Sequence, residues 1–211
     1  LALAVAAGPL PAAAPTGTIR GTVVVEDAQG QALPLPPVVV FVEDFVEPFS
    51  PAEAPAVRQF NKRFQPSLLV VPVGAPVTFP NDDPIDHNVF SVSPVKTFDL
   101  GLYGGGKAKS LTFDRPGPIR IYCNIHPQMI GDILVLPNRH HALVGADGAF
   151  TMEGVPTGTR RLRAWFARGP SVPRPIDVEP GAEHVVAFKL LQTVVSEGHL
   201  NKLGQPYPVK Y

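Results

Sequence analysis

The chain has 211 residues, 18 Lys+Arg against 18 Asp+Glu, and a formal net charge of zero. That balance argues against nucleic-acid or membrane-surface binding driven by bulk charge. No apolar run is long enough to span a bilayer as a helix. Nineteen Gly and 26 Pro punctuate many short β-branched runs, so an all-β protein of one or two domains is expected.

The opening residues, Leu1 to Leu10, read as the end of a secretory signal whose start is missing, with Ala4-Val5-Ala6 and Ala12-Ala13-Ala14 as cleavage candidates. A flexible Ala/Pro leader is the competing reading, and residues 1–16 are set apart either way. Thr18 to Asp27 is strand-like and runs into the turn Ala28-Gln29-Gly30, and Pro37 to Val42 forms a second strand. His87 to Val92 and Pro118 to Cys123 are further strands. In the latter, alternation places Ile119, Ile121 and Cys123 on an inward face and Arg120 and Tyr122 on the other. Gly131 to Leu136 reads as the next strand, leaving Asn124 to Ile130 as a tight loop. Ala142 to Thr151, Arg161 to Phe166 and His184 to Leu191 complete the series. Within Arg161–Phe166, Leu162, Ala164 and Phe166 should face inward while Trp165 meets a partner or covers a seam.

The stretch Cys123-Asn124-Ile125-His126-Pro127-Gln128-Met129 carries the most chemistry. It holds the chain's single cysteine and one of its two methionines, with His87 in a strand upstream. One thiolate, two imidazoles and one thioether make a mixed soft donor set suited to copper cycling between Cu(I) and Cu(II). A structural zinc site would call for a closed tetrahedron of Cys, His or carboxylates, and no second cysteine exists. An inward-facing cysteine with nothing resembling an oxyanion hole is a poor nucleophile, so no enzymatic activity is expected. His140 and His141 should sit solvated in a connection.

With those residues in view, the stretch from about Val57 to Pro137 resembles a cupredoxin, the blue-copper Greek-key β-sandwich. Its short C-x2-H-x2-M loop is most similar to amicyanin and plastocyanin-like proteins. Asn61-Lys62-Arg63-Phe64, Val73 to Asn81, His87-Asn88-Val89 and Asp114-Arg115-Pro116-Gly117 follow that family's order of strands and turns. The resemblance implies a type 1 copper ion held in plane by His87, Cys123 and His126, with Met129 as the weak axial ligand. It also makes Asn88 the residue that ties the two ligand segments together. Pro84, Ile85, Pro127 and Ile130 would form an apolar rim around the His126 edge.

The flanks resemble a carboxypeptidase regulatory-like (transthyretin-like) β-sandwich, through the strand and turn from Gly21 to Leu33 and the run from Asp147 to Leu162. Each flank alone is too short to bury a good core. The expectation is therefore a first part at 17–46, a cupredoxin domain at 56–137, a second part at 139–192 and a tail at 193–211. The tail, with Tyr207, Pro208 and Tyr211, would be disordered or dock on another chain. As far as this resemblance goes, the domain pair is similar to that of proteins labelled methylamine-utilisation-like. The implied function is a periplasmic or secreted one-electron carrier between protein redox partners. The alternative is a structural or adaptor subunit of an envelope or electron-transport assembly with an accessory or vestigial copper site.

Overall fold

The computed structural model describes residues 14–51, 53–194 and 199–207, so the leader falls almost wholly outside the described residues, as do Pro208 and Tyr211. No helix forms among the described residues; the chain is all-β, as its turn-rich composition predicts. In order the strands are β1 (Thr16–Glu26), β2 (Val39–Val42), β3 (Arg58–Phe60), β4 (Arg63–Gln65), β5 (Leu68–Pro72), β6 (Pro76–Pro80), β7 (His87–Ser93) and β8 (Lys96–Tyr103). Then come β9 (Ala108–Thr112), β10 (Gly117–Tyr122), β11 (Ile130–Leu136), β12 (His141–Leu143), β13 (Ala149–Pro156), β14 (Gly158–Trp165), β15 (Val172–Val178) and β16 (Glu183–Leu191).

The middle of the chain builds one sandwich. A five-stranded sheet, β5-β11-β10-β7-β8, packs against the β6–β9 pair and the β3–β4 hairpin. Consecutive strands switch between the two layers, since β6 and β9 belong to one and their sequence neighbours to the other. Alternation drives the packing: Ile119 and Ile121 of β10, Ile133 and Val135 of β11 and Val89 of β7 meet Val77, Phe79 and Phe113 in one buried cluster. Gly131 lies where a Cβ would come 3.1 Å from the Phe64 Cβ and 3.2 Å from Ile121, so the hairpin packs close onto the sheet there.

The remaining strands form two more sheets, each drawing on both ends of the chain. β1 lies between β13 and β16, antiparallel to the first and parallel to the second. β2 lies between β12 and β14, with β15 at the edge. The alternating residues Ile19, Val23 and Val25 of β1 meet Val40, Val42, Leu162, Ala164 and Phe166 in a second core. Leu162, Ala164 and Phe166 thus face inward, as the alternation predicts. At Gly21 a Cβ would lie 2.2 Å from the Val186 carbonyl oxygen and 2.7 Å from the Phe150 ring, so no larger residue fits between these strands.

A third cluster joins the two sandwiches. Trp165, Val39 and Phe41 point away from their own core onto Leu134 and Leu136, the outward positions of β11. Trp165 therefore covers a seam. Glu43, at the end of β2, pairs with Arg161 and Arg163 there. Burial opposes ionisation of Glu43, but the two guanidiniums outweigh it and hold its carboxyl below the usual range.

The connection from β11 to β12 differs from expectation. His140 is buried, not solvated; its Nε2 lies 3.0 Å from the Glu47 carboxylate and its ring 5.5 Å from that of Phe45. The cause is Asn138, whose buried amide donates to the Val42 and Phe45 carbonyls at 2.9 Å each and draws the connection onto the β2 segment.

Candidate metal centre

Two adjacent strands bring together residues far apart in sequence. β7 and β10 are antiparallel neighbours, with Tyr122 opposite Phe90, so the start of β7 and the end of β10 share one end of the sheet. His87 opens β7, and Cys123 follows the last residue of β10. From Cys123 the chain makes a short loop closed by two main-chain hydrogen bonds: Met129 N–H to the His126 carbonyl at 3.0 Å, and Cys123 N–H to the Met129 carbonyl at 3.2 Å. The loop folds His126 back over the cysteine and sends Met129 into the core cluster that contains Cys123. His87, Cys123 and Met129 are fully buried, while His126 is partly exposed.

The donor atoms converge. His87 Nδ1 lies 3.0 Å from His126 Nδ1, and Cys123 Sγ lies 3.9 Å from the former and 3.6 Å from the latter. These three form a cluster able to hold a metal ion. The circle through them has a radius of about 2.1 Å, close to an ordinary metal–imidazole bond length. Two ring nitrogens aimed at each other from 3.0 Å would repel if both carried bare lone pairs, so the approach calls for a proton or a cation between them. Nitrogen and thiolate donors in this proportion fit copper; a closed zinc tetrahedron would want a fourth Cys, His or carboxylate.

Asp83, which the sequence did not single out, is the residue that holds His87 in place. Its Oδ2 lies 2.7 Å from His87 Nε2, which therefore carries the proton and leaves Nδ1 as the donor lone pair. The carboxylate is itself held by the Asn61 and Lys62 main-chain N–H groups, at 2.7 and 2.9 Å. Both residues take left-handed φ angles, 52° and 53°, in the turn between β3 and β4. Burial works against ionisation of Asp83, but hydrogen bonds from Lys62, His87 and Asn61 overcome it and hold its pKa below the ordinary carboxylate value. The signal available in sequence was an aspartate four residues before the histidine, too common a spacing to notice alone.

Asn88 links the His87 and Cys123 segments through its side chain. Its Oδ1 accepts from Asn124 N–H at 3.3 Å, and its amide donates to Asp99 at 2.7 Å. Pro84, Ile85 and Pro127 are exposed at this end of the sandwich. Ile130 is not part of such a rim. It occupies an outward position of β11, alternate to Gly131 and Ile133, and lines the crevice between sandwiches beside Pro36 and Trp165. Lys96 and Lys109 at this sandwich are both engaged by neighbours. Lys96 pairs with Asp114, and Lys109 donates to the Leu100 carbonyl while lying over the Tyr103 ring.

No family model and no curated protein matches this chain. Among solved structures, it is similar to a purple cupredoxin from Nitrosopumilus maritimus, at 25% identity and a TM-score of 0.36 over 38% of this chain and 98% of that one. It is also similar to a Cu(I) amicyanin variant, at 29% identity and a TM-score of 0.37 over 41% of this chain and 90% of the other. A copper-containing nitrite reductase from Thermus scotoductus aligns at 28% identity and a TM-score of 0.39, over 44% of this chain and only 24% of the reductase. No helix among the described residues is long and apolar enough to cross a membrane.

Proposed function

We propose that this protein is an extracytoplasmic carrier of single electrons, built on one type 1 copper ion held by His87, Cys123 and His126 with Met129 as weak axial ligand. The observation that carries this reading is the convergence of two imidazole nitrogens and the Cys123 sulfur on a circle of bond-length radius, at one end of the sandwich with His87 and Cys123 fully buried. Copper bound there would exchange one electron between Cu(I) and Cu(II). The chain's own part is positional. Asp83 fixes the tautomer of His87, the closed loop orients His126 over Cys123, and the core around Met129 excludes water.

Protein redox partners would dock at the partly exposed His126, where Pro84, Ile85 and Pro127 offer apolar contact. A net charge of zero makes docking weakly steered and modestly salt-dependent. Residues 17–46 and 139–192 are read as one discontinuous transthyretin-like domain with the cupredoxin unit, 56–137, inserted in it. The support is that β1 pairs with β13 and β16 while β2 pairs with β12 and β14. A structural subunit with an accessory copper site is the second reading. It draws on the flanking sandwich, which contributes no residue to the donor cluster.

The test is a copper titration followed by visible absorption and electron paramagnetic resonance. An intense thiolate-to-copper band with reversible one-electron cycling is expected, and Cys123→Ser should abolish the band. Absence of the band in the unaltered chain, or its survival in the serine variant, refutes the assignment. Intense colour without cycling would favour the structural reading.

A further inference from the structure

Residues 199–207 lie across the outer face of β7 and β10, in contrast to the disordered or partner-bound tail expected from composition. His199 stacks on Tyr122, with ring centroids 4.3 Å apart and planes inclined by 32°, and its ring centre lies 6.5 Å from that of Phe90. Tyr207 meets His199 edge-on at 5.2 Å. This cover explains why β7 is buried on both faces, with Asn88 and Phe90 as inaccessible as His87 and Val89. The segment is a folded turn in its own right, since the Asn201 side chain accepts from the Leu203 and Gln205 N–H groups.

Its polar contacts fall on the ligand loop. The Tyr207 hydroxyl donates to the Cys123 carbonyl at 2.7 Å, and Lys202 N–H donates to Asn124 Oδ1 at 2.9 Å. The Lys202 ammonium lies 2.6 Å from Asp99 Oδ2. Asp99 in turn accepts from Asn88, and Asn88 accepts from Asn124 N–H. The circuit Lys202–Asp99–Asn88–Asn124–Lys202 is therefore closed, and it includes the first residue after the cysteine.

We propose that residues 199–207 are a strap that holds the Cys123–Met129 loop shut, with Tyr207 as a positioning residue for Cys123 and Lys202 as its anchor. The inference deepens the proposed function, because the loop it restrains is the one assigned to the metal. Inner main-chain bonds close the loop on itself, and the strap closes it from outside. Opening it far enough to expose the thiol requires breaking the Tyr207–Cys123 and Lys202–Asn124 contacts together, so the strap sets the local opening equilibrium.

The experiment reads that equilibrium in the metal-free chain of residues 1–211, as the rate at which iodoacetamide alkylates Cys123, its only cysteine. Tyr207→Phe keeps the ring and removes the donor, and Lys202→Ala removes the ammonium's bond to Asp99 while leaving the main-chain bond to Asn124 in place. Tyr207→Phe should speed alkylation by about five- to tenfold, the equivalent of one hydrogen bond, and Lys202→Ala by about two- to fivefold, because its ion pair with Asp99 is partly exposed. Lys96→Ala, whose ion pair with Asp114 lies outside the circuit, should match the unaltered chain. In copper-loaded protein the Tyr207→Phe change should also move the thiolate band and speed loss of copper to a chelator. Unchanged alkylation in both strap variants, with circular dichroism showing them folded, overturns the strap. Faster alkylation in a chain that never takes up copper leaves the strap standing and refutes the copper reading instead.

Discussion

Replacing Asp83 by asparagine keeps the shape of the side chain and removes its charge, which isolates what the carboxylate does for His87. Three donors face it: Asn61 N–H at 2.7 Å, Lys62 N–H at 2.9 Å and His87 Nε2 at 2.7 Å. An amide has one oxygen with two lone pairs, so it can serve two of these donors while its NH2 meets the third. One buried donor is then unsatisfied, at about 1–3 kcal/mol, and the surviving bonds lose charge assistance worth about 1 kcal/mol. A loss of about 3 kcal/mol is expected, or about 6–12 °C in melting temperature for a chain of this size. Released from its carboxylate, His87 should also bind metal about 10–100-fold more weakly. Urea unfolding of the metal-free chain and a chelator competition for copper measure the two effects. Asp82→Asn is the paired control, because its exposed bond to Arg58 is worth roughly 0.5 kcal/mol. If the Asp83 and Asp82 variants behave alike in both assays, Asp83 does not orient His87.

Met129→Leu should fold within about 1.5 kcal/mol of the parent, being nearly volume-conserving. In the proposed copper-loaded form it should retain the ion with a raised reduction potential, and voltammetry showing no shift would refute the axial role proposed for Met129. Trp165→Ala should cost about 3 kcal/mol by emptying the seam against Leu134 and Leu136, and calorimetry showing under 1 kcal/mol would make the seam incidental. Glu43 has a lowered folded-state pKa, so the stability it contributes is complete above the ordinary carboxylate range and is lost as pH falls through the folded value. Glu43→Gln should therefore lower stability at neutral pH and flatten its fall toward acid, and parallel pH curves for parent and variant would refute this.

Period-2 alternation carried much of the architecture, because a strand with one wet face advertises its inward side. It placed Ile119, Ile121 and Cys123 together and likewise Leu162, Ala164 and Phe166, all of which are buried. It could not show that the opposite faces are also covered. Trp165 and Ile130 lie on outward positions that a second sandwich happens to occupy, which only the register of β11 against its neighbours decides. The approach of His87 to Cys123 was legible from residue types and flanking strands. Asp83 was not, because its role depends on a hairpin turn folding beneath it. The burial of His140 and the docking of the 199–207 segment were not legible for a related reason: composition reports what a segment can do alone, not what Asn138 or Tyr122 offers it.

The pairing of β1 with β16 carries a consequence for biosynthesis. The first described strand finds its parallel neighbour only in residues 183–191, so during translation it emerges long before the chain it must zip against. The sandwich of residues 58–136 has all its strands in hand much sooner, and non-local pairing is the slower event. The middle of the molecule should therefore condense first, bringing Val42 and Asn138 near each other and offering a finished nucleus around which the waiting first strands and the later C-terminal strands close.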